Sequence, residues 1–399
     1  MGTIVTGQQF IADFLAEDAD DTGPAQASTT LKFTVKKVIL HGLLEKAATV
    51  LPTRDIMPVL KNVRIEATPT ALRVIASDME LFMIATTSMV TVEQPGIAVF
   101  PGKKLLELAR WAEAGDATIT VTNGDDASIT VGRASWTWRL QSGYDYPDIP
   151  QITDATYGTV ERCDFLAALA SVRHAACRDV NRDNLMMIDV TDGQMTASDG
   201  SRFQRAPITA FPFNFQIPNG AVDNLVKLLG STDLPQIAVG DSANHLIFRL
   251  GEDTFLVSKL VAAFPNIEAT LLRPALANHH TLTVDKAALR AAIKRAQINA
   301  DTETHAISLT ATTGQLTITC RDKWHNACTE SVPAEWAGKD HTIVVNHVFL
   351  TDMIKTCTAA SLTFRLGDDT KTRRAPVLLR DEDTGTIGVV QQMISDWVI

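Results

Sequence analysis

One short motif recurs along this chain at domain-sized intervals. IASDMELFMI at 75–84, TASDGSRFQR at 196–205 and ITCRDKWHNA at 318–327 set Asp78, Asp199 and Asp322 at intervals of 121 and 123 residues. Each aspartate lies between two short alternating runs, the pattern of a β-hairpin with Asp or Gly in its turn. A repeat of that period constrains the fold more than composition does, because each copy must be one supersecondary assembly that reappears along the chain.

Matching segments flank the hairpins. Downstream, FPGKKLLELAR from Phe100, IPNGAVDNLVK from Ile217 and VNHVFLTDMIK from Val345 carry apolar residues at common offsets: Leu105, Leu108 and Ala109; Val222, Leu225 and Val226; Leu350, Met353 and Ile354. Spacing of i, i+3, i+4 predicts three amphipathic helices, and Pro or Asn ahead of each suits a helix start. Upstream, VKKVILHGLLEKAATVL after Thr34, ERCDFLAALASVRHAA after Val160 and DKAALRAAIKRAQI after Val284 predict three more, each behind a strand-like run. Further strands follow, as in ASITVGRASWTWRL and HLIFRLGEDTFLVSKL. The fold class is α+β, in three tandem copies of a two-helix, sheet-bearing domain: 31–150, 151–275 and 276–399. Residues 1–30 stand outside as an N-terminal extension, and their middle, AEDADDTGPAQASTT, has the composition of a flexible tail.

Composition narrows the classes. A hydrophobic content of 45% suits a globular chain, and no apolar run approaches the roughly 18 residues that span a bilayer, so a cytoplasmic protein without a membrane is expected. Five cysteines, at 163, 177, 320, 328 and 357, are odd in number and scattered, which suits a reducing compartment. Cys320, His325 and Cys328 come nearest to metal-ligand spacing, but without a second pair they read as buried thiols, and no metal or cofactor is implied. The net charge of −10 argues against nucleic acid on average only. The predicted helices concentrate Lys36, Lys37, Lys46, Lys103, Lys104, Arg110, Arg173, Lys227, Lys286, Arg290, Lys294, Arg295 and Lys355, which as a set favour contact with a phosphate backbone.

The strings KFTV (32–35), TRDIMPVLKNVRIE (53–66), ASDMEL (76–81), ASDGSRF (197–203) and SKLVAAFPNI (258–267) resemble the bacterial DNA polymerase III beta subunit family, the sliding clamps. The resemblance runs in order from about Leu31 to Ile394. It implies a head-to-tail homodimer of three-domain subunits closed into a ring, with twelve helices facing double-stranded DNA and no chemistry of its own. It also implies partners that dock through linear motifs: a DNA polymerase and a clamp loader. A clamp-like decoy that binds those partners without closing on DNA is the alternative.

Carried over position by position, the resemblance implies DNA contacts at Arg54 and Lys103, and, in the loop ACRDVNRDNL, at Arg178 and Arg182 in place of aromatic residues. From the helix cations, Lys104, Lys227, Arg290 and Lys294 are expected to join them. A partner-peptide pocket maps to Leu185, Ser198, Gly200, Ser201, Arg202, Phe203 and Pro265. Its other wall maps to Pro376, Val389 and Val390, closed by Gln391, Gln392, Met393 and Ile394. The tail VVQQMISDWVI puts two glutamines where the family has apolar and proline positions. The dimer interface maps to Lys104, Trp136 and Trp138 on one side and Ile298 and Asn299 on the other. The extension's GQQFIADF loosely resembles the peptides such pockets bind.

An enzyme is the rival class. Asp78 and Asp199, with Glu80, would then be an acid–base pair or a metal site. No P-loop, nucleophile elbow or HExxH motif accompanies them, and a third copy at Asp322 marks them as structural turns.

Overall fold

The apolar stripes fold as six helices of ten or more residues in a computed structural model that describes residues 30–53, 57–123, 125–140, 146–260, 262–368 and 374–393. They are α1 (Lys37–Ala48), α2 (Gly102–Trp111), α3 (Arg162–Val172), α4 (Asn219–Gly230), α5 (Lys286–Ala296) and α6 (His347–Thr356). The start signals act as expected: Pro101 precedes α2, and the Asn346 side chain accepts the backbone N–H groups of Val348 and Phe349 at 2.8 and 3.3 Å. Asp285 does the same for α5, accepting from Ala288 N at 2.7 Å. One stripe differs from expectation. In α4 Val226 is half-buried, and Ala221, Val222, Leu225, Leu228 and Leu229 make the buried face.

All three aspartates sit in hairpin turns. Asp78 Oδ1 accepts from Glu80 N and Leu81 N at 3.0 and 2.7 Å, Asp199 Oδ1 from Ser201 N and Arg202 N at 2.9 and 3.0 Å, and Asp322 Oδ1 from Trp324 N and Asn326 N at 2.8 and 2.9 Å. The carboxylates replace strand partners that the reversing backbone lacks. Each turn passes through a positive φ: +81° at Met79, +89° at Gly200 and +68° at His325. The third turn is one residue longer.

The described residues form two compact units, one drawn from the chain up to Cys163 with Asp223–Lys259, the other from Asp164–Val222 with Leu260 onward. The first unit holds two antiparallel sheets. A five-stranded sheet runs Val90–Gln94, Leu31–Lys36, Asp116–Thr122, Asp126–Val131, Ala134–Arg139. An eight-stranded sheet runs Thr156–Glu161, Gln236–Asp241, His245–Leu250, Asp253–Ser258, Leu81–Thr87, Leu72–Ser77, Asn62–Ala67, Gly96–Pro101. At its centre the strand after the first Asp turn pairs with the last strand of the middle repeat, Phe255 opposite Met83 and Leu256 opposite Phe82. Helices α1 and α2 pack on each other, and Leu40, Leu44, Leu105 and Ala109 are buried.

In the second unit one antiparallel sheet has twelve strands. It runs Phe215–Pro218, Met187–Thr191, Gln194–Ser198, Arg202–Pro207, Ile387–Val390, Val377–Arg380, Ser361–Leu366, His280–Asp285, Ala327–Trp336, Gln315–Arg321, Ala306–Thr312, His341–Asn346. The strand after the second Asp turn again pairs with the last strand of the following repeat, Phe203 opposite Val389. The middle repeat therefore contributes strands to both units.

Asp253 fastens the first of these junctions. Its Oδ1 accepts from Thr86 N at 2.9 Å and its Oδ2 from Lys46 Nζ of α1 at 2.6 Å, with the carboxylate only 7% exposed. Removing it strands a buried N–H and an ammonium. We expect Asp253→Ala to lower the stability of this unit by about 2–3 kcal/mol, read as a drop in the urea midpoint, and Asp253→Asn to cost less because its carbonyl still serves Thr86.

Candidate functional site

The second Asp turn does more than reverse the chain. Arg202 Nε donates to Asp199 Oδ2 at 2.9 Å, its Nη1 to Asp352 Oδ2 of α6 at 3.2 Å, and its guanidinium lies 4.3 Å from the centre of the Phe349 ring. One largely buried cation thus joins the turn to a helix of the third repeat through two carboxylates and an aromatic face. Ser198 Oγ donates to Arg202 O at 2.6 Å and accepts from Gly200 N at 3.0 Å. Gly200 suits the turn because its φ of +89° disfavours any residue with a Cβ.

His174 lies within this charge field. Burial, with the Arg202 charge second, pulls its pKa from 6.5 down to about 4, although Asp352 and Asp199 pull the other way. The ring is neutral at physiological pH.

Beside the turn, Leu185, Phe203 and Val389 meet in one buried apolar cluster with Cys177, Ile267, Leu271, Leu272, Ala275 and Leu378, and the half-buried Phe264 packs against it. A cavity of 590 Å³ opens next to it, lined by Phe203, Phe264, Pro265 and Ile267 on its apolar side. Arg205 and Glu268, paired at 3.3 Å, and Asp189 and Asn266 supply its polar side. Of the pocket residues expected from sequence, Phe203 and Pro265 line this cavity, and Leu185 and Val389 lie in the adjoining cluster. Phe264 and Ile267 belong beside Pro265 and were missed; their signal was the apolar spacing within FPNI.

Several expected pocket residues do not line this cavity. Val390 follows Val389 on one strand, so it faces the opposite side of the sheet and joins the third-repeat core. Pro376 is buried, and its carbonyl accepts from Asn278 Nδ2 at 2.6 Å. Gln391 and Gln392 are anchored by their side chains, whose amides donate to the carbonyls of Arg374 and Ala375 at 3.2 and 2.7 Å. Gln391 N and Met393 N donate to Ser201 O and Val344 O, each at 2.8 Å. The glutamines therefore pin the tail to the segment before Val377–Arg380. Gly388 lets that tail strand lie close, since a Cβ there would meet Met353 Sδ. Ser201 is exposed, and Ile394 lies outside the described residues.

The expected DNA contacts divide by what else they bind. Lys103, Lys104, Arg178, Lys227, Arg290 and Lys294 are exposed and carry no ion pair with the described residues. Arg182 is partly engaged, donating to Asp199 O at 2.9 Å with Asp179 at 3.9 Å. Among the other helix cations, Lys46 is committed to Asp253, Arg295 to Glu330 at 2.6 Å, Lys355 to Asp352 at 3.2 Å, and Lys286 to the Cys357 carbonyl. Arg54 and the N-terminal extension through residue 29 fall outside the described residues.

Among the strand edges left open within the described residues, two belong to the last strand of the first repeat and the strand after the third Asp turn. Ala134–Arg139, bearing the half-buried Trp136 and Trp138, ends the five-stranded sheet. The 327–333 part of Ala327–Trp336 pairs only with Gln315–Arg321, because Leu282–Val284 covers just 334–336 on its other side. Trp324, in the turn just before that edge strand, is 75% exposed; Ile298, in the turn Gln297–Asn299 after α5, is 80% exposed, and Asn299 is half-buried. Cys320 and Cys328 face each other across the hairpin, and burial raises the Cys320 thiol to about 11, so it stays protonated. His325 does not join them in any ligand cluster among the described residues.

Comparison with known proteins gives a consistent result. Family models described as the DNA polymerase III beta subunit, N-terminal domain and C-terminal domain match residues 31–150 and 274–391. The Beta sliding clamp of Haemophilus influenzae is 25% identical over 346 residues, covering 81% of this chain and 90% of that protein. That of Proteus mirabilis is 23% identical over 351 residues, covering 85% and 94%. Among solved structures, a DNA polymerase sliding clamp from Pseudomonas aeruginosa is similar with a TM-score of 0.83 at 22% identity, covering 92% of this chain and 100% of that one. A sliding clamp from Bartonella birtlesii bound to griselimycin is similar with the same TM-score at 21% identity and the same coverage.

His174 makes the turn network acid-sensitive, and the sign is fixed. Its folded pKa lies below the unfolded value, so the unfolded chain takes up a proton that the fold refuses, and stability falls as pH drops from about 6.5 toward about 4. We expect His174→Gln to remove about 2–3 kcal/mol of that loss, measured by comparing the urea midpoints of the two chains at both ends of the window.

Proposed function

Because this chain belongs to the DNA polymerase III beta subunit family, the beta sliding clamps, we infer that it is a DNA sliding clamp: a processivity factor that encircles duplex DNA and holds a polymerase to it. The observation that carries the ring is the pattern of strand pairing. In the first and second repeats, the strand following the Asp turn pairs with the last strand of the next repeat. The third repeat offers the corresponding strand with 327–333 unpaired on one side, and the first repeat offers its own last strand, Ala134–Arg139, at a sheet edge. Repeating the rule once more joins the third repeat of one copy to the first repeat of another. A head-to-tail homodimer satisfies both edges at once and closes on itself.

The aromatic pair Trp136 and Trp138, with the exposed Ile298 and Trp324, supplies apolar area for that junction. Lys103, Lys104, Lys227, Arg290 and Lys294, with Arg178, supply cations that no internal carboxylate neutralises among the described residues. Contacts to phosphate alone hold the duplex without reading bases, which permits sliding. The cavity beside Phe203, Phe264 and Pro265 accepts a short apolar segment, with Arg205 and Glu268 as polar anchors. Polymerase and loader motifs are its expected occupants. The chain is non-catalytic in this reading, since the recurring aspartates spend their carboxylates on turn amides.

The test is topological. The chain, loaded on nicked circular plasmid, is expected to stay bound in high salt and to leave when the plasmid is cut; equal retention on linear duplex overturns the sliding reading. Trp136→Asp is expected to shift sedimentation to the monomer and to abolish plasmid retention while leaving the circular dichroism spectrum unchanged.

A further inference from the structure

The third repeat gathers histidines around one carboxylate, and none of the three is among the residues assigned above to DNA, partner or second copy. His279 and His280 stand at the start of strand His280–Asp285, and Asp368 follows the neighbouring strand Ser361–Leu366. The register sets His280 opposite Leu366, so a carboxylate two residues farther on falls beside the imidazoles. His280 Nε2 lies 3.0 Å from Asp368 Oδ1, and His279 Nε2 lies 3.4 Å from Oδ2. The ligand atoms of the three residues all lie within 4.8 Å of one another.

The surroundings hold this group in place. His341, which opens strand His341–Asn346, has its ring centre 5.8 Å from that of His280 and stacks on Trp336 at 5.9 Å. Trp336 is buried, and its Nε1 donates to Lys339 O at 3.1 Å. Backbone pairing therefore fixes the first imidazole, and a braced aromatic wall stands behind it.

Two readings compete. As ion pairs, His279–Asp368 and His280–Asp368 are largely exposed and contribute little. As ligands, donors each about 2.0–2.1 Å from a tetrahedral zinc stand roughly 3.4 Å apart; here each imidazole lies 3.0 or 3.4 Å from one of the two Asp368 oxygens, and one ligand atom from each residue falls within 4.8 Å of the others, within reach of side-chain rotation. We propose that His279, His280 and Asp368 bind a divalent transition metal of the zinc class, with water completing the tetrahedron. Two imidazoles and one carboxylate favour zinc, cobalt or nickel over magnesium or calcium. Bound metal ties the segment entering the third repeat to the loop after Ser361–Leu366, and since the unfolded chain lacks the arrangement, it raises the melting temperature.

The experiment uses the full chain stripped with a chelator. Calorimetric titration with Zn²⁺ is expected to give one equivalent, and Co²⁺ is expected to give visible d–d bands without thiolate charge transfer, which separates this site from Cys320 and Cys328. Asp368→Asn and His280→Ala are expected to weaken binding by about tenfold or more and to abolish the zinc-dependent rise in melting temperature. Asp368 and His279 are 69% and 63% exposed on their side chains, so His279→Ala and Asp368→Asn leave the fold intact for comparison by circular dichroism. Absence of Zn²⁺ uptake, uptake unchanged in these variants, or a thiolate band with Co²⁺ overturns the proposal.

Discussion

Backbone hydrogen bonding between repeats is the constraint on which this structure rests. A β-strand at a sheet edge presents a row of unsatisfied N–H and C=O groups, and these have to be covered. Here the first two Asp turns each deliver a strand whose far edge is covered by the following repeat, Leu81–Thr87 by Asp253–Ser258 and Arg202–Pro207 by Ile387–Val390. The repeats are therefore not beads on a string. Sheets pass from one to the next, which is why the compact units divide the middle repeat between them. Polar fastenings such as Asp253 with Lys46 and Arg202 with Asp352 reinforce junctions that the backbone already makes.

What the sequence discloses follows from the range of the interaction concerned. Helices α2 and α6 were legible because their apolar spacing and their starts at Pro101 and Asn346 are local signals. The turns were legible because one carboxylate two residues from its donors suffices to build them. The buried face of α4, which takes in Ala221, Leu228 and Leu229 and leaves Val226 half-buried, shows the usual limit: apolar residues lie on more than one side of this helix, and packing decides how it is rotated.

Tertiary placement set the other limit. Val389 and Val390 are equally apolar in sequence, yet the two-residue period of a strand sends them into different cores. Gln391 and Gln392 read as departures from an apolar tail, whereas their amides find backbone carbonyls that only the fold brings near. The helix cations looked equivalent until carboxylates from distant segments claimed Lys46 and Arg295 and left Lys103 and Arg290 unclaimed among the described residues. His280 and Asp368 stand 88 residues apart in the chain and, with His279, meet only through one strand register.

The strand Ile387–Val390 also dictates an order of assembly. The first unit has every strand it needs once Asp253–Ser258 has been synthesised, because all its pairings lie upstream. The second unit cannot close: its twelve-stranded sheet lacks the strand between Arg202–Pro207 and Val377–Arg380 until residues 387–390 appear, and Gly388 must then slide beneath Met353. A growing chain therefore carries one finished unit and one with an open seam beside Phe203. That seam, with its apolar neighbours uncovered, is where a nascent chain is most exposed to mispairing and to chaperones.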